Sequence, residues 1–361
     1  MSLNAYLTLG RSGLRISPLC LGTMTFGEDW GWGAPVAESE TLLTQFLEQG
    51  GNFIDTANMY TKGHSEKIIG DFFAHDRSRR DRVVLATKFS ANMFPGDPNG
   101  GGCNAKTIIQ SCEQSLRRLN TDYIDLYWQH AWDPFTPIEE TMRALDDLVS
   151  SGKVRYIGFS DTPAWKVSQA QIIAQFRGWA PLIALQIEYS LLQRTVEDEL
   201  IPMAIELGLG VVPWSPLRGG ILSGKYRRDN RSVAQGGRSD QAADALGERE
   251  YAIIDALIAI AAVHGATPAA IALAWVQSRP GVAASIIGVR RLDQLAANLA
   301  ALEVHLTSEE IAQLSELSAP PATFMTWVNT ITPRAHQGGV TVNGRMSPDN
   351  PLAPRPDELR Y

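Results

Sequence analysis

Residues 123–160 read YIDLYWQHAWDPFTPIEETMRALDDLVSSGKVRYIGFS, and this stretch decides the fold. It opens on a short β-branched and aromatic run, Tyr123 to His130, and closes on another, Val154 to Ser160. Between them Ile138, Met142, Leu145 and Val149 recur at the spacing of one helix face, and Gly152 follows as a C-terminal cap. Strand, helix and strand in this order predict a parallel pair, because a parallel connection needs a long crossover.

The same unit recurs on either side. Further runs begin near Leu19 (LCLG), Asn52 (NFIDTA), Arg82 (RVVLATK), Leu182 (LIALQIE), Leu209 (LGVVPWS) and Ala283 (AASIIGV), giving eight candidate strands. The first seven start 27 to 41 residues apart. Helical patterns lie between them, such as Leu42, Leu43, Phe46 and Leu47 before Gly50, and Ile108, Ile109, Cys112, Leu116 and Leu119. The expected fold is α/β, a (β/α)8 TIM barrel; an open doubly wound sheet is the alternative. The G-x-G-x-x-G signature of that alternative does not follow the first run.

Two regions depart from the rhythm. The seventh and eighth runs start 74 residues apart, with a polar stretch, Arg227 to Glu248, expected to be a flexible loop before the last barrel unit. A helix from about Arg249 to His264 then precedes the barrel helix Pro268–Gln277, capped by Thr267. Residues 319–361 are rich in Pro, Gly and Asn without clear periodicity. They are expected to form an irregular C-terminal tail, a candidate to cover the barrel mouth or an interface, beyond a barrel domain of residues 1–318. At the start, Tyr6–Leu9 and Leu14–Ile16 around Arg11-Ser12-Gly13 predict an N-terminal hairpin plugging the barrel floor.

With 361 residues, 44% apolar and 20% charged, the chain has enough apolar content for one large domain. A net charge of −7 argues against nucleic acid as a partner. No apolar stretch approaches the roughly 20 residues that span a bilayer, and the first ten residues lack the pattern of a secretion signal. Cys20, Cys103 and Cys112 are odd in number and not at metal-ligand spacing. A cytoplasmic protein with no membrane or metal partner is expected.

In a barrel of this kind reactive groups sit at the C-terminal ends of strands. Those ends offer Asp55, then Tyr60 five residues on, Lys88 and His130. Each alone is ordinary, but together they compose an acid catalyst. Hydride addition to a carbonyl builds charge on oxygen, which must be protonated. A phenol with a pKa near 10 is a reluctant donor; a neighbouring ammonium favours phenolate, and a carboxylate holds the ammonium in place. Lys88 would tune Tyr60, Asp55 would anchor Lys88, and His130 would hydrogen-bond the carbonyl oxygen.

The segments GNFIDTANMY, VLATK, DLYWQH and YIGFSD resemble the aldo-keto reductase superfamily, particularly its bacterial and potassium-channel-β-subunit-like branches, from the hairpin to about Leu302. The resemblance implies the same roles for Asp55, Tyr60, Lys88 and His130. It also implies NADP(H) bound in extended form across the barrel mouth. Gly22, Thr23 and Met24 match the start of that cleft, and Asp55 belongs to it too. Ser160, Asp161 and Gln186 match the groups holding the nicotinamide carboxamide, although many relatives carry Asn where this chain has Asp161, and an ionised Asp accepts but does not donate. Trp214 matches the residue that stacks on the nicotinamide, and Ser215, Pro216, Leu217, Gly219, Leu222 and Lys225 match the pyrophosphate loop. Gly288, Arg290, Gln294 and Asn298 match the adenosine-phosphate positions, where arginine at a helix start suits a 2′-phosphate.

The expected reaction is reduction of a small-molecule aldehyde or ketone by NADPH. A nucleotide-binding redox-sensing subunit with slow turnover is the alternative, and a metal-dependent barrel hydrolase a third reading with little support from six scattered histidines. Trp30, Trp32, Phe89, Trp128 and Trp132 are candidates for an aromatic pocket. The physiological substrate and the oligomeric state are not legible.

Overall fold

The computed structural model describes residues 2–228, 246–354 and 358, and the chain divides into two compact units after Ala319. The first unit is built on β1 (Leu19–Gly22), β2 (Phe53–Asp55), β3 (Val84–Phe89), β4 (Ile124–Gln129), β5 (Val154–Ser160), β6 (Leu182–Glu188), β7 (Gly210–Trp214) and β8 (Ser285–Gly288). All are parallel and neighbour one another in chain order, and β8 returns to pair with β1, Ser285 opposite Leu19 and Gly288 opposite Gly22. Val211 of β7 bridges Val282, just before β8, and closes the ring. Every strand begins within two residues of its expected start.

The helices supply the crossovers: α1 (Val36–Glu48), α2 (His64–Ala74), α3 (Ala105–Arg118), α4 (Ile138–Ser150), α5 (Ala164–Arg177) and α6 (Leu200–Leu207) follow the first six strands. Then come α7 (Glu248–His264), α8 (Pro268–Gln277), α9 (Leu292–Leu299) and α10 (Ser308–Leu317). The start of α8 has a clear local cause. The Thr267 hydroxyl accepts from the Ala270 N–H at 3.1 Å, and Pro268 occupies the first turn, where its missing N–H costs nothing. Most of the expected loop between Arg227 and Glu248 lies outside the described residues; Arg228 at its near end pairs with Glu248 at its far end, 2.6 Å apart.

Two cores follow from strand periodicity. Alternate residues point into the barrel, where Cys20, Phe53, Val84, Ala86, Leu126, Trp128, Ile183, Val212 and Ile286 pack together. Their neighbours point outward onto the helices, as Leu19, Ile54, Leu85, Tyr127 and Ile157 do. Trp128 fits only because β5 carries Gly158 opposite it: a Cβ there would fall 2.5 Å from the indole ring. The hairpin Leu7–Thr8 with Arg15–Ile16 sends Leu9 and Ile16 into the inner core. Leu9 packs against Gly210, the first residue of β7, so the hairpin closes the N-terminal end of the barrel. The C-terminal end is left for chemistry.

The second unit, Pro320–Tyr361, corrects the expectation of an irregular tail. Helix α11 (Phe324–Gln337) starts where the Thr323 hydroxyl accepts from the Thr326 N–H at 3.2 Å. A hairpin pairs Thr341–Val342 with Arg345–Met346. Its turn is Asn343-Gly344, both left-handed (φ 49° and 76°), the sequence that two-residue hairpins favour. Helix α11 buries none of its residues, although Phe324, Trp327, Val328 and Ile331 recur at the spacing of one helix face, a pattern that Pro333 and the surrounding Pro, Gly and Asn mask. No single helix among the described residues is long and apolar enough to cross a membrane.

Candidate active site

A cavity of about 580 Å³ opens at the C-terminal ends of the strands, within the usual size of small-molecule sites. Its wall takes the last residue of β1 (Gly22), of β2 (Asp55), of β5 (Ser160), of β7 (Trp214) and of β8 (Gly288), with Gln186 from β6 and His130 just past β4. Strands ending in one plane bring together residues as distant in sequence as Gly22 and Gly288.

Beneath this floor Lys88 and Asp55 form a buried ion pair. The ammonium has three protons to place. One goes to Asp55 Oδ2, one to the Thr56 carbonyl at 2.8 Å, and one to the Tyr60 hydroxyl at 3.1 Å. The other carboxylate oxygen, Oδ1, accepts from Gln186 Nε2 at 3.1 Å. Burial alone pushes the Lys88 ammonium down, but Asp55 and Tyr60 more than offset this and hold it above its ordinary value. Burial pushes the Asp55 carboxyl up against the pull of Lys88 and Gln186. Both carboxylate oxygens receive donated hydrogen bonds, which a protonated carboxyl would partly forfeit, so the pair stands as ammonium and carboxylate.

Tyr60 is held by an unusual turn. Thr61, Lys62 and Gly63 follow it with φ of 45°, 60° and 93°, all left-handed, a conformation costing about 1–3 kcal/mol for each non-glycine residue. The Thr61 hydroxyl secures the turn by donating to the Phe26 carbonyl (2.9 Å) and accepting from the Ser65 N–H (2.9 Å). His130 lies edge-on to Tyr60, ring centroids 5.9 Å apart, and its backbone N–H donates to the hydroxyl of Ser90, itself left-handed at φ 91°. Burial, with Lys88 nearby, lowers the His130 pKa to about 3, so the imidazole is neutral.

Around this centre the wall offers groups of different character. The Ser160 hydroxyl is buried and has no hydrogen-bond partner among the described residues. Burial raises the Asp161 carboxyl; the Trp214 indole N–H, which donates to it at 3.0 Å, pulls the other way. Met24, Ser215, Pro216, Leu217, Gly219, Lys225, Arg290, Gln294 and Asn298 also line the cavity. Arg290 and Arg291 part company: Arg290 faces the cavity, whereas Arg291 pairs with the exposed Asp293 at 2.9 Å.

Two of the expected cofactor residues lie outside this wall. Thr23 is buried with its hydroxyl on the Asp55 carbonyl at 3.1 Å, joining β1 to β2. Leu222 is buried in the outer core. Of the five aromatic candidates, Trp30 and Trp32 line the cavity. Phe89 packs outward on Tyr127, Trp128 fills the barrel, and Trp132 meets Trp165. The sequence reading also passed over Met59, Gly220 and Thr267, which line the cavity. Thr267 is legible as a cap, but nothing local tells that α8 begins at the barrel mouth. Among the described residues no group of three or more His, Cys, Asp and Glu side chains could hold a metal ion.

Comparison with known proteins places this chain in a family. The family described as aldo/keto reductase matches residues 18–319. An uncharacterized oxidoreductase of Bacillus subtilis, YrpG, is 40% identical, covering 88% of this chain and 96% of its own. A norsolorinic acid reductase of Emericella nidulans is 38% identical (84% and 79%). An aryl-alcohol dehydrogenase of Pestalotiopsis microspora is 36% identical (84% and 79%).

The electrostatics of His130 can be checked directly. Two-bond nitrogen–proton correlation spectra should show its ring neutral down to pH 5, where an exposed histidine with a pKa near 6.5 is mostly protonated. Because the folded pKa is depressed, the group's contribution to stability is full above about pH 6.5 and is lost as pH falls toward 3. A ring that titrates near pH 6.5 would contradict the burial argument.

Proposed function

Because the chain belongs to the aldo/keto reductase family, we propose that it reduces aldehydes or ketones with NADPH, Tyr60 serving as the proton donor. The observation that carries this reading is the third hydrogen bond of Lys88. By donating to the Tyr60 oxygen, the ammonium makes the phenol an acceptor on its inner side and keeps its O–H as a donor. Tyr60 gives that proton to the substrate oxygen as negative charge gathers there, and Lys88 stabilises the phenolate left behind. Asp55 and the Thr56 carbonyl prevent the ammonium from turning away. Neutral His130 donates a ring N–H to the same oxygen and polarises it without competing for the proton.

The wall suits a dinucleotide, which when bound supplies hydride to the carbonyl carbon. The orphaned Ser160 hydroxyl, with Gln186 and Asp161, would hold a carboxamide; Asp161 can accept from its NH2, while its own position is fixed by Trp214. The Trp214 ring, its N–H already engaged, would offer a face for stacking. The turn from Ser215 (φ 52°) through Gly219 and Gly220 (φ 64° and 96°) would bring backbone close to a pyrophosphate, with Lys225 supplying charge. Arg290, beside the start of α9, would meet a 2′-phosphate.

Steady-state oxidation of NADPH with simple aldehydes tests the reaction. Tyr60→Phe should lower kcat/KM by about 10²–10⁴-fold while NADPH affinity changes little, since the hydroxyl serves the transition state. A loss below about tenfold would remove Tyr60 from the role, and slow single-turnover oxidation by the wild type would favour a redox sensor.

The cofactor reading has its own test. Arg290→Ala should weaken NADPH binding by about 1.5–3 kcal/mol, the worth of a charge-assisted contact, and leave NADH binding nearly as it was. Fluorescence titration of both nucleotides decides the matter. Equal weakening of the two would contradict a phosphate contact.

A further inference from the structure

We infer that Glu66, which is buried and lies outside the cavity wall, is a positioning residue: with Thr87 and Arg118 it holds the left-handed turn 61–63, and so keeps the Tyr60 hydroxyl within reach of Lys88. The inference rests on the carbonyl-reduction reading above and adds a residue to it.

On β3 successive side chains face opposite ways. Lys88 reaches into the site toward Asp55 and Tyr60, so Thr87 before it faces outward, toward α2. The Thr87 hydroxyl donates to Glu66 Oε1 at 2.5 Å. Arg118, the last residue of α3, donates from Nε to Glu66 Oε2 at 2.6 Å. Thr87 and Glu66 are both buried, and the Arg118 side chain is largely covered. Each carboxylate oxygen is thus engaged, as a carboxylate shut off from water requires. Glu66 is the third residue of α2, and α2 begins at His64, directly after the turn.

This carboxylate therefore fastens the far end of the turn to the strand residue next to Lys88. Arg118 reaches it across Gly63, where a Cβ would fall 3.0 Å from Arg118 Cδ and 3.2 Å from its Nε. Gly70, four residues on from Glu66 and on the same helix face, lets α2 come close to the end of α3. A Cβ there would fall 2.2 Å from the Arg118 carbonyl oxygen. Thr61 and Lys62 are left-handed without being glycine, and such backbone persists only where its surroundings over-determine it. The Thr61 hydroxyl bonds act at the near end of the turn, and the Glu66 contacts act at the far end. The contact at stake is the 3.1 Å hydrogen bond from Lys88 to Tyr60, the longest of the three that the ammonium makes.

Two substitutions loosen the anchor without touching the cavity wall. Glu66→Gln keeps the shape but has one acceptor oxygen where the carboxylate has two. Thr87→Val removes the hydroxyl and leaves the Glu66–Arg118 ion pair in place, whereas Thr87→Ser keeps the hydroxyl. In Glu66→Gln and Thr87→Val, kcat with a simple aldehyde should fall about ten- to hundredfold, as a small misplacement of a reacting group does. NADPH affinity should stay as it was. Tyrosine labelled with 13C at Cζ reads the phenol without turnover, its Tyr60 signal identified by its loss in Tyr60→Phe. That signal should titrate about one pH unit higher in both variants, because the phenol has drawn away from an ammonium. Thr87→Ser should leave kcat and titration near those of the wild type. Thermal melting identifies any unfolded variant, and if Glu66→Gln is one, the Thr87 pair carries the comparison. Folded variants that melt earlier yet keep kcat and the Tyr60 titration would overturn the inference. A wild type that turns over no aldehyde would refute carbonyl reduction; the labelled tyrosine would then still decide the positioning, upheld by a shifted titration and refuted by an unshifted one.

Discussion

The site depends on one buried ion pair. Removing Lys88 and Asp55 from water costs several kcal/mol per ion even after relaxation, and only a fully satisfied set of hydrogen bonds makes such a pair tolerable. That set is complete here. Lys88 places its three protons on Asp55, Thr56 and Tyr60, and both oxygens of Asp55 accept. The last of those protons reaches the cavity, so satisfying the pair and preparing the phenol are one arrangement.

Much of the surrounding structure can be understood as holding that arrangement still. Asp55 ends β2, Lys88 lies near the end of β3, and Gln186 reaches across from β6, so the pair ties together strands on different sides of a closed barrel. Thr23 joins β1 to the same point through the Asp55 carbonyl. The left-handed Thr61 and Lys62 after Tyr60 and the left-handed Ser90 that accepts from the His130 N–H cost conformational energy beside the two residues that face the cavity. Below it, Trp128 packs tightly against Gly158, and the hairpin sends Leu9 and Ile16 into the inner core at the barrel floor.

The strands, the crossover helices and the convergence of Asp55, Lys88 and His130 on Tyr60 were legible because each rests on local pattern: period-two runs, helix-spaced apolar residues, and polar residues placed at strand ends. What escaped the sequence depends on distant contact. Thr23 and Leu222 match cofactor positions by resemblance, yet they are turned into the protein by a strand-joining hydrogen bond and by core packing. Which tryptophans face the cavity depends on strand phase for Trp128 and on loop closure for Trp30 and Trp32. In the C-terminal unit the reason differs: the Asn343-Gly344 turn and the helix-spaced Phe324, Trp327, Val328 and Ile331 were both readable, but they lie among Pro, Gly and Asn residues that mask them.

The pH dependence of carbonyl reduction tests the central role of the pair most directly. Reduction needs the phenol protonated, so kcat/KM falls as Tyr60 loses its proton, and a nearby ammonium brings that fall to lower pH. The double substitution Lys88→Met with Asp55→Asn removes both charges at once and leaves no buried ion without its partner. In the folded double variant kcat/KM should be reduced and its alkaline decline should move to higher pH. A decline at the wild-type pH would contradict the claim that Lys88 tunes Tyr60.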